Sequence, residues 1–381
     1  MLPPDLTASS LFWDFTARNW ALVSIACTLV LLAVVPTMVL RRYIRIMTKL
    51  LDDTPPPLSV GMRRSDRIPG EPVVFRAFDG HNLWGSFLWS AAPVPRRGMI
   101  IFAHEYKSDR HSALRYCRSL LEAGYDVFTF DFRAHGDSEC EAGYKPRQWA
   151  TEREQADMLG AIALVEDYLQ QNNRPVEVGL FGISRGACAA ILASVGLPGV
   201  KAIIADGAFS SDTILEYYMK RWSTIFAKVR VVAEFHPPVF WTFLRWLLFR
   251  ACSRKFGCRF PSVRKFLRRL HTPILFIHGE KDSYIPVQQS QMLYHVANKP
   301  RYLWIVEGAK HNQSALLEPE LYALRIQAFF DRYLAGIAPD ERALPAASLS
   351  DLAQPVAKPP RRGALLFERT RRTAARTGRA N

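Results

Sequence analysis

The sequence predicts an α/β fold, a mostly parallel sheet covered by helices, and three observations carry that expectation. Between residues 71 and 335, short apolar runs rich in β-formers alternate with helical stretches, the pattern of strands joined by crossover helices. Met99–Ala103 is continuously apolar, as expected of a strand buried on both faces. Val176–Gly182 runs directly into Gly182-Ile183-Ser184-Arg185-Gly186 and out into Ala187, Ala189, Ala190, Ile191 and Leu192, which reads as strand, abrupt turn and helix.

The elements follow in order. Ala21–Leu40 is an uncharged apolar run of twenty residues, which as a helix spans about 30 Å, the thickness of a hydrocarbon core. Phe12, Trp13, Phe15, Trp20 and Tyr43 suit the two interfaces, and Pro36 is tolerable in a membrane helix. A cleaved leader would start basic and have a shorter core, whereas the first 17 residues carry no Lys or Arg, so a retained anchor is expected over residues 1–48. Arg41, Arg42, Arg45 and Lys49 follow the run while only Arg18 precedes it, which puts the bulk of the chain on the cytoplasmic side of a single-pass protein. Residues 49–70, with Pro55-Pro56-Pro57 and Pro69, read as a linker.

Val73–Phe78, a turn at Asp79-Gly80 and Leu83–Trp89 form a hairpin. Ser112–Ala123 is helical with Gly124 at its stop, Tyr125–Phe130 is a strand and Glu152–Gln170 a helix. After the helix Arg185–Val195 come the strands Val200–Ala205, Ile274–His278 and Tyr302–Val306, with helices near Gln288–Ala297 and Pro319–Leu334. Two segments break the alternation. Residues 210–270 carry no clear strand and mix Phe240, Trp241, Phe243, Trp246 and Phe249 with Arg and Lys. The tail 336–381 is rich in Ala, Pro and Arg without hydrophobic periodicity and is expected to be disordered.

A hydrophobic content of 49% excludes global disorder, and a net charge of +15 implies attraction to anionic surfaces, nucleic acid or an anionic leaflet. The six cysteines show no Cys-x-x-Cys spacing; free thiols are expected, although Cys252 and Cys258 are placed to pair. There is no phosphate-binding Gly-x-x-x-x-Gly-Lys loop and no Cys/His metal spacing, so neither cofactor nor metal is expected.

Gly-x-Ser-x-Gly at a strand–helix turn holds its serine in a strained conformation with the hydroxyl exposed above the sheet edge. A serine hydroxyl needs a neighbouring base, and the base needs a carboxylate to fix its tautomer. Such partners belong just beyond the C-terminal ends of strands. Asp282 follows Ile274–His278 and His311 follows Tyr302–Val306, in the chain order Ser, Asp, His.

Here the sequence resembles the α/β-hydrolase superfamily over about residues 71–335. Asp131-Phe132-Arg133-Ala134-His135-Gly136-Asp137-Ser138 is similar to the Asp-x-Arg-Gly-His-Gly-x-Ser loop of lipase- and peptidase-like members, and His104 to the histidine of their oxyanion loop. The resemblance implies an α/β-hydrolase fold with Ser184 as nucleophile, His311 as general base and then acid, and Asp282 as its orienter. It further implies that the backbone N–H groups of Arg185 and Tyr106 bind the oxyanion. The family's glycine after the oxyanion-loop histidine is Glu105 here, which leaves Glu105 as the alternative second donor. His104 and His135 are expected to brace loops, and Arg185 to be a surface cation lending only its N–H. Such folds place a helical cap where residues 210–270 fall.

Together these features predict a serine hydrolase of acyl esters with lipidic or hydrophobic alcohols, seated on a membrane that its basic cap and tail also favour, with no nucleic-acid partner. The same triad would serve a peptidase, a thioesterase or an acyltransferase. A non-catalytic membrane scaffold is the contrasting class, and the intact Ser-His-Asp set argues against it.

Overall fold

The computed structural model describes residues 19–53, 68–226 and 238–338. The tail from residue 339, most of the linker and the centre of the cap insertion therefore lie outside the described residues.

Eight strands form one sheet: β1 (Glu71–Arg76), β2 (Asn82–Leu88), β3 (Gly98–Ala103), β4 (Tyr125–Phe130), β5 (Val178–Ile183), β6 (Val200–Asp206), β7 (Ile274–Gly279) and β8 (Arg301–Val306). Their order is β1-β2-β4-β3-β5-β6-β7-β8. The hairpin β1–β2 and the pair β2–β4 are antiparallel, and every pairing from β4 to β8 is parallel. Every residue of β4, β5 and β7 is buried, which accounts for their mainly apolar sequence as it does for that of β3, with Asp126, Thr129 and His278 as buried polar exceptions.

Helices cover both faces. On one side lie α2 (Ala113–Glu122) and α10 (Pro319–Tyr333), packed on a cluster that includes Phe102, Phe181, Ile204 and Phe330. On the other lie α3 (Glu152–Gln171), α4 (Arg185–Ala193) and α8 (Gln288–Val296) against Phe128, Leu180, Ile203 and Phe276. Thr151 and Glu154 close a capping box at the start of α3, the reciprocal pairing that satisfies two orphan N–H groups. A four-residue helix, α9 (Ser314–Leu317), precedes α10.

The insertion after β6 is helical among its described residues: α5 (Ser211–Phe226), α6 (Pro238–Phe256) and α7 (Val263–Leu267). One face of α6 is buried, and it includes Trp241. The expected alternative pairing of Cys252 with Cys258 does not form; all six cysteines are free.

The N-terminal segment is a 34-residue helix, α1 (Trp20–Asp53), which continues past the expected start of the linker. Its last turns pack on the domain, with Met47 and Thr48 buried and Asp52 paired with Arg147 and Lys255. Among the described residues no helix is long and apolar enough to cross a membrane. Positions 32, 35, 36 and 39 of the Ala21–Leu40 run lie outside those whose side chains are described.

Candidate active site

The turn from β5 to α4 is shaped by what cannot fit there. A Cβ at Gly186 would overlap the carbonyl of Ala103, and one at Gly182 would lie 2.5 Å from the Cα of Ala187. Only glycine permits this approach of helix to strand. Between them Ser184 takes φ 52°, a left-handed conformation that costs a non-glycine residue about 1–3 kcal/mol. The surroundings hold it there: the Ser184 N–H donates to the Asp206 carbonyl at 2.7 Å, and its own carbonyl accepts the Cys188 N–H at 3.2 Å.

The loops after β7 and β8 converge on that hydroxyl. Both oxygens of Asp282 are used: Oδ1 accepts the backbone N–H groups of Tyr284 and Ile285 at 2.9 and 2.8 Å, and Oδ2 lies 2.6 Å from His311 Nδ1. A carboxylate at Nδ1 places the proton there and leaves Nε2 as the acceptor. Nε2 stands 2.9 Å from Ser184 Oγ. The edge of the Tyr284 ring packs on His311, with centroids 5.2 Å apart. The structure thus brings together the three side chains singled out in the sequence, in a geometry in which the imidazole can take the serine proton.

The expected oxyanion donors lie on the two sides of the same contact. Arg185 is the first residue of α4, so its N–H is one of the donors a helix leaves without an intrahelical acceptor. Tyr106 sits in the loop after β3, where the close approach at Gly186 meets Ala103 and His104. Glu105, whose N–H is the alternative donor, is buried. Burial also raises the Glu105 pKa, and among the described residues Oε2 has no hydrogen-bond partner.

Two histidines brace this region. Desolvation holds His104 well below its usual pKa, so the ring is neutral; Nδ1 donates to the Glu105 carbonyl at 2.6 Å and Nε2 accepts the Phe132 N–H at 3.1 Å. Burial and the nearby Arg185 charge lower His135 to about 3. Its Nδ1 donates to the Arg133 carbonyl at 3.0 Å, and its Nε2 accepts from Arg185 at 3.1 Å.

That contact corrects the expectation for Arg185. It is not a surface cation: its side chain is fully buried. It donates to the Arg147 carbonyl at 3.1 Å, lies 3.4 Å from the Glu154 carboxylate, and is held between the rings of Tyr106 and Phe132 at 5.2 and 5.1 Å. Sequence reasoning also missed Asp206, Tyr284 and Arg147. The position of Asp206 at a strand's C-terminal end was an available signal; Arg147 carried none. Among the described residues no group of His, Cys, Asp and Glu side chains is arranged to hold a metal ion.

A parallel α/β sheet with Ser, Asp and His converging at strand ends defines the architecture of an α/β hydrolase. The chain belongs to the alpha/beta hydrolase family, whose model matches residues 100–326. It is 28% identical over 247 residues to the uncharacterized protein YqkD of Bacillus subtilis, a match covering 64% of this chain and 74% of the relative. Its fold is similar to that of the Pyrococcus furiosus esterase Pf2001, with a TM-score of 0.52 and 22% identity over 73% of this chain and 99% of that one. The acylaminoacyl peptidase of Pyrococcus horikoshii gives a TM-score of 0.51 and 20% identity, over 72% of this chain and 43% of that chain.

Proposed function

We propose that this protein is a membrane-anchored serine hydrolase that cleaves acyl esters of lipidic or hydrophobic alcohols. One observation carries the reading: Ser184 Oγ, His311 Nε2, His311 Nδ1 and Asp282 Oδ2 form an unbroken chain with links of 2.9 and 2.6 Å. Ser184 Oγ attacks the ester carbonyl as His311 Nε2 takes its proton, and Asp282 stabilises the imidazolium. The carbonyl oxygen, now negative, is received by the N–H groups of Arg185 and Tyr106. His311 passes the proton to the departing alkoxide, leaving an acyl-Ser184 ester and the free alcohol. Water enters, His311 takes one of its protons, and the resulting attack releases the acid and restores Ser184.

The anchor reading rests on the uncharged run Ala21–Leu40 and on the exposure of Leu22, Ile25, Leu29 and Val34 along α1. Exposed apolar side chains in such a stripe are stable against hydrocarbon and not against water. The bias of Arg and Lys toward the C-terminal side of the run supports a catalytic domain at the cytoplasmic face. An apolar ester dissolved in that bilayer is the substrate such an enzyme meets at highest concentration.

Labelling by a fluorophosphonate, which needs an activated serine, tests the mechanism. A hydrolysis panel of acyl esters of graded chain length beside peptide and thioester substrates tests the leaving group. Turnover confined to peptides or thioesters would reassign the substrate and keep the mechanism; absence of labelling would remove both.

A further inference from the structure

The cap helix α6 has two faces of opposite fate. Trp241, Leu244, Leu248 and Cys252 are buried. Val239, Phe243 and Trp246 are 76%, 51% and 56% exposed, and with Arg250 they recur at helical spacing along the opposite side. The rings of Phe243 and Trp246 stack with centroids 6.1 Å apart, and the Arg250 guanidinium lies 5.8 Å from the centre of the Trp246 ring. The helix contains Arg245, Arg250, Arg254 and Lys255 and no acidic residue.

Its placement beside α1 gives this face a direction. The Thr48 hydroxyl lies against the Cys252 thiol, and Asp52 pairs with Lys255 at 3.1 Å, so the two helices run alongside each other in the same sense. Trp241, Leu244 and Leu248 share one apolar cluster with Leu40, Tyr43, Ile44 and Met47. At about 1.5 Å per residue, Trp246 lies about 9 Å and Phe243 about 14 Å back from Cys252. The same count from Thr48 along α1 reaches the end of the apolar run at Leu40. The exposed aromatics therefore stand level with the C-terminal boundary of that run.

We propose that the Val239–Phe243–Trp246–Arg250 face of α6 is a second membrane contact, lying in the interface of an anionic bilayer beside the anchor. This rests on the anchor reading above. Aromatic side chains partition to the headgroup boundary, and a basic helix without acidic residues favours anionic lipid there. Trp241, which the sequence placed in the same set, faces inward and takes no part. The contact fixes the orientation of the cap, and with it that of the domain that carries Ser184, relative to the lipid surface.

The test uses the full chain reconstituted in phosphatidylcholine vesicles with and without phosphatidylserine. In a background with the two exposed cysteines, Cys27 and Cys140, replaced by serine, an environment-sensitive thiol label is placed at Phe243→Cys. A control label goes at exposed Gln171→Cys, at the C-terminal end of α3 ahead of the start of β5. The label at 243 should shift to the blue and be quenched by brominated lipid, more strongly with phosphatidylserine, while the label at 171 stays solvent-like. Trp246→Ser should lower turnover of a vesicle-embedded ester several-fold and leave a soluble short ester unchanged. An alkaline carbonate wash separates the two readings. If the protein resists the wash while the label at 243 behaves like that at 171, the cap contact is wrong and the anchor stands. If the wash removes the protein, the anchor reading fails, and the label at 243 still decides the cap.

Discussion

The guanidinium of Arg185 lies 5.2 Å from the centre of the Tyr106 ring, so the side chain of one expected oxyanion donor holds the residue that supplies the other. The same guanidinium is tied to the loop before α3 through the Arg147 carbonyl and to the Asp131–Ser138 loop through His135. Arg185 is thus a positioning residue with a fully buried charge, and such a charge destabilises the fold sharply when its partners are removed singly. Arg185→Met should leave KM for a soluble ester nearly unchanged and lower kcat by about one to two orders of magnitude, somewhat less than deletion of an oxyanion donor itself. Affinity for a boronate that mimics the tetrahedral intermediate should fall in parallel. Arg185→Lys, which restores charge without the fork, should recover only part of the loss. Equal loss in KM and kcat, or unchanged boronate affinity, would assign Arg185 to stability alone.

Ser184→Ala should abolish fluorophosphonate labelling and ester turnover while thermal unfolding stays within a few degrees of the parent. His311→Ala should cost turnover about as severely, because members of a triad act as a unit. Asp282→Asn keeps acceptors for the Tyr284 and Ile285 N–H groups but removes the charge at Nδ1, and its loss should be the smallest of the three. Measurable ester turnover by Ser184→Ala near the parent rate would sink the mechanism.

The convergence of Ser184, Asp282 and His311 was legible because each sits beside a signal that sequence carries: two glycines around Ser184, and apolar strands ending just before Asp282 and His311. The burial of Arg185 was not legible. Its partners Arg147, Glu154 and His135 are 38, 31 and 50 residues away, and a cation one residue after the serine of a strand–helix turn, itself 5% exposed, gives no local hint of them. The fate of Trp241 was hidden for another reason. Both faces of α6 are aromatic, so helical periodicity marks two candidate faces, and the packing of α1 and α5 chooses between them. The hairpin and parallel strands were legible as elements, but the swap that places β4 between β2 and β3 depends on which strand pairs best, a non-local property.

The second oxyanion donor is assigned by Tyr106→Pro, which removes that N–H. Loss of one donor costs about 3 kcal/mol of transition-state stabilisation, or roughly two orders of magnitude in turnover. Glu105→Pro should cost less, since it leaves the Tyr106 N–H in place. Circular dichroism and thermal melts of both variants separate lost donation from lost folding. The opposite ranking, with both variants folded, would move the donor to Glu105.

Asp206 ties the site to pH. Its carbonyl holds the Ser184 N–H, its carboxyl accepts the Tyr322 hydroxyl at 2.9 Å, and burial raises its pKa to about 7. In the unfolded chain a carboxyl titrates near an ordinary value of about 3.9. Between those two values the folded protein keeps a proton that the unfolded chain has lost. Stability from this group is therefore fully present below about pH 4 and declines as pH rises toward 7, because ∂ΔG/∂pH is negative wherever the native state binds more protons. Asp206→Asn keeps an acceptor for Tyr322 and cannot ionise. The variant should gain thermal stability relative to the parent at pH 8, with the gain shrinking toward pH 5 as the parent carboxyl becomes neutral. The charge that Asp206 acquires above pH 7 also lies within electrostatic reach of His311, so the parent should show a kink in its pH–rate profile near 7 that the variant lacks. A melting-temperature difference between parent and variant that stays constant from pH 5 to 8 would show that Asp206 does not change its protonation in the folded protein over that range, and the coupling of this carboxyl to the site would fall.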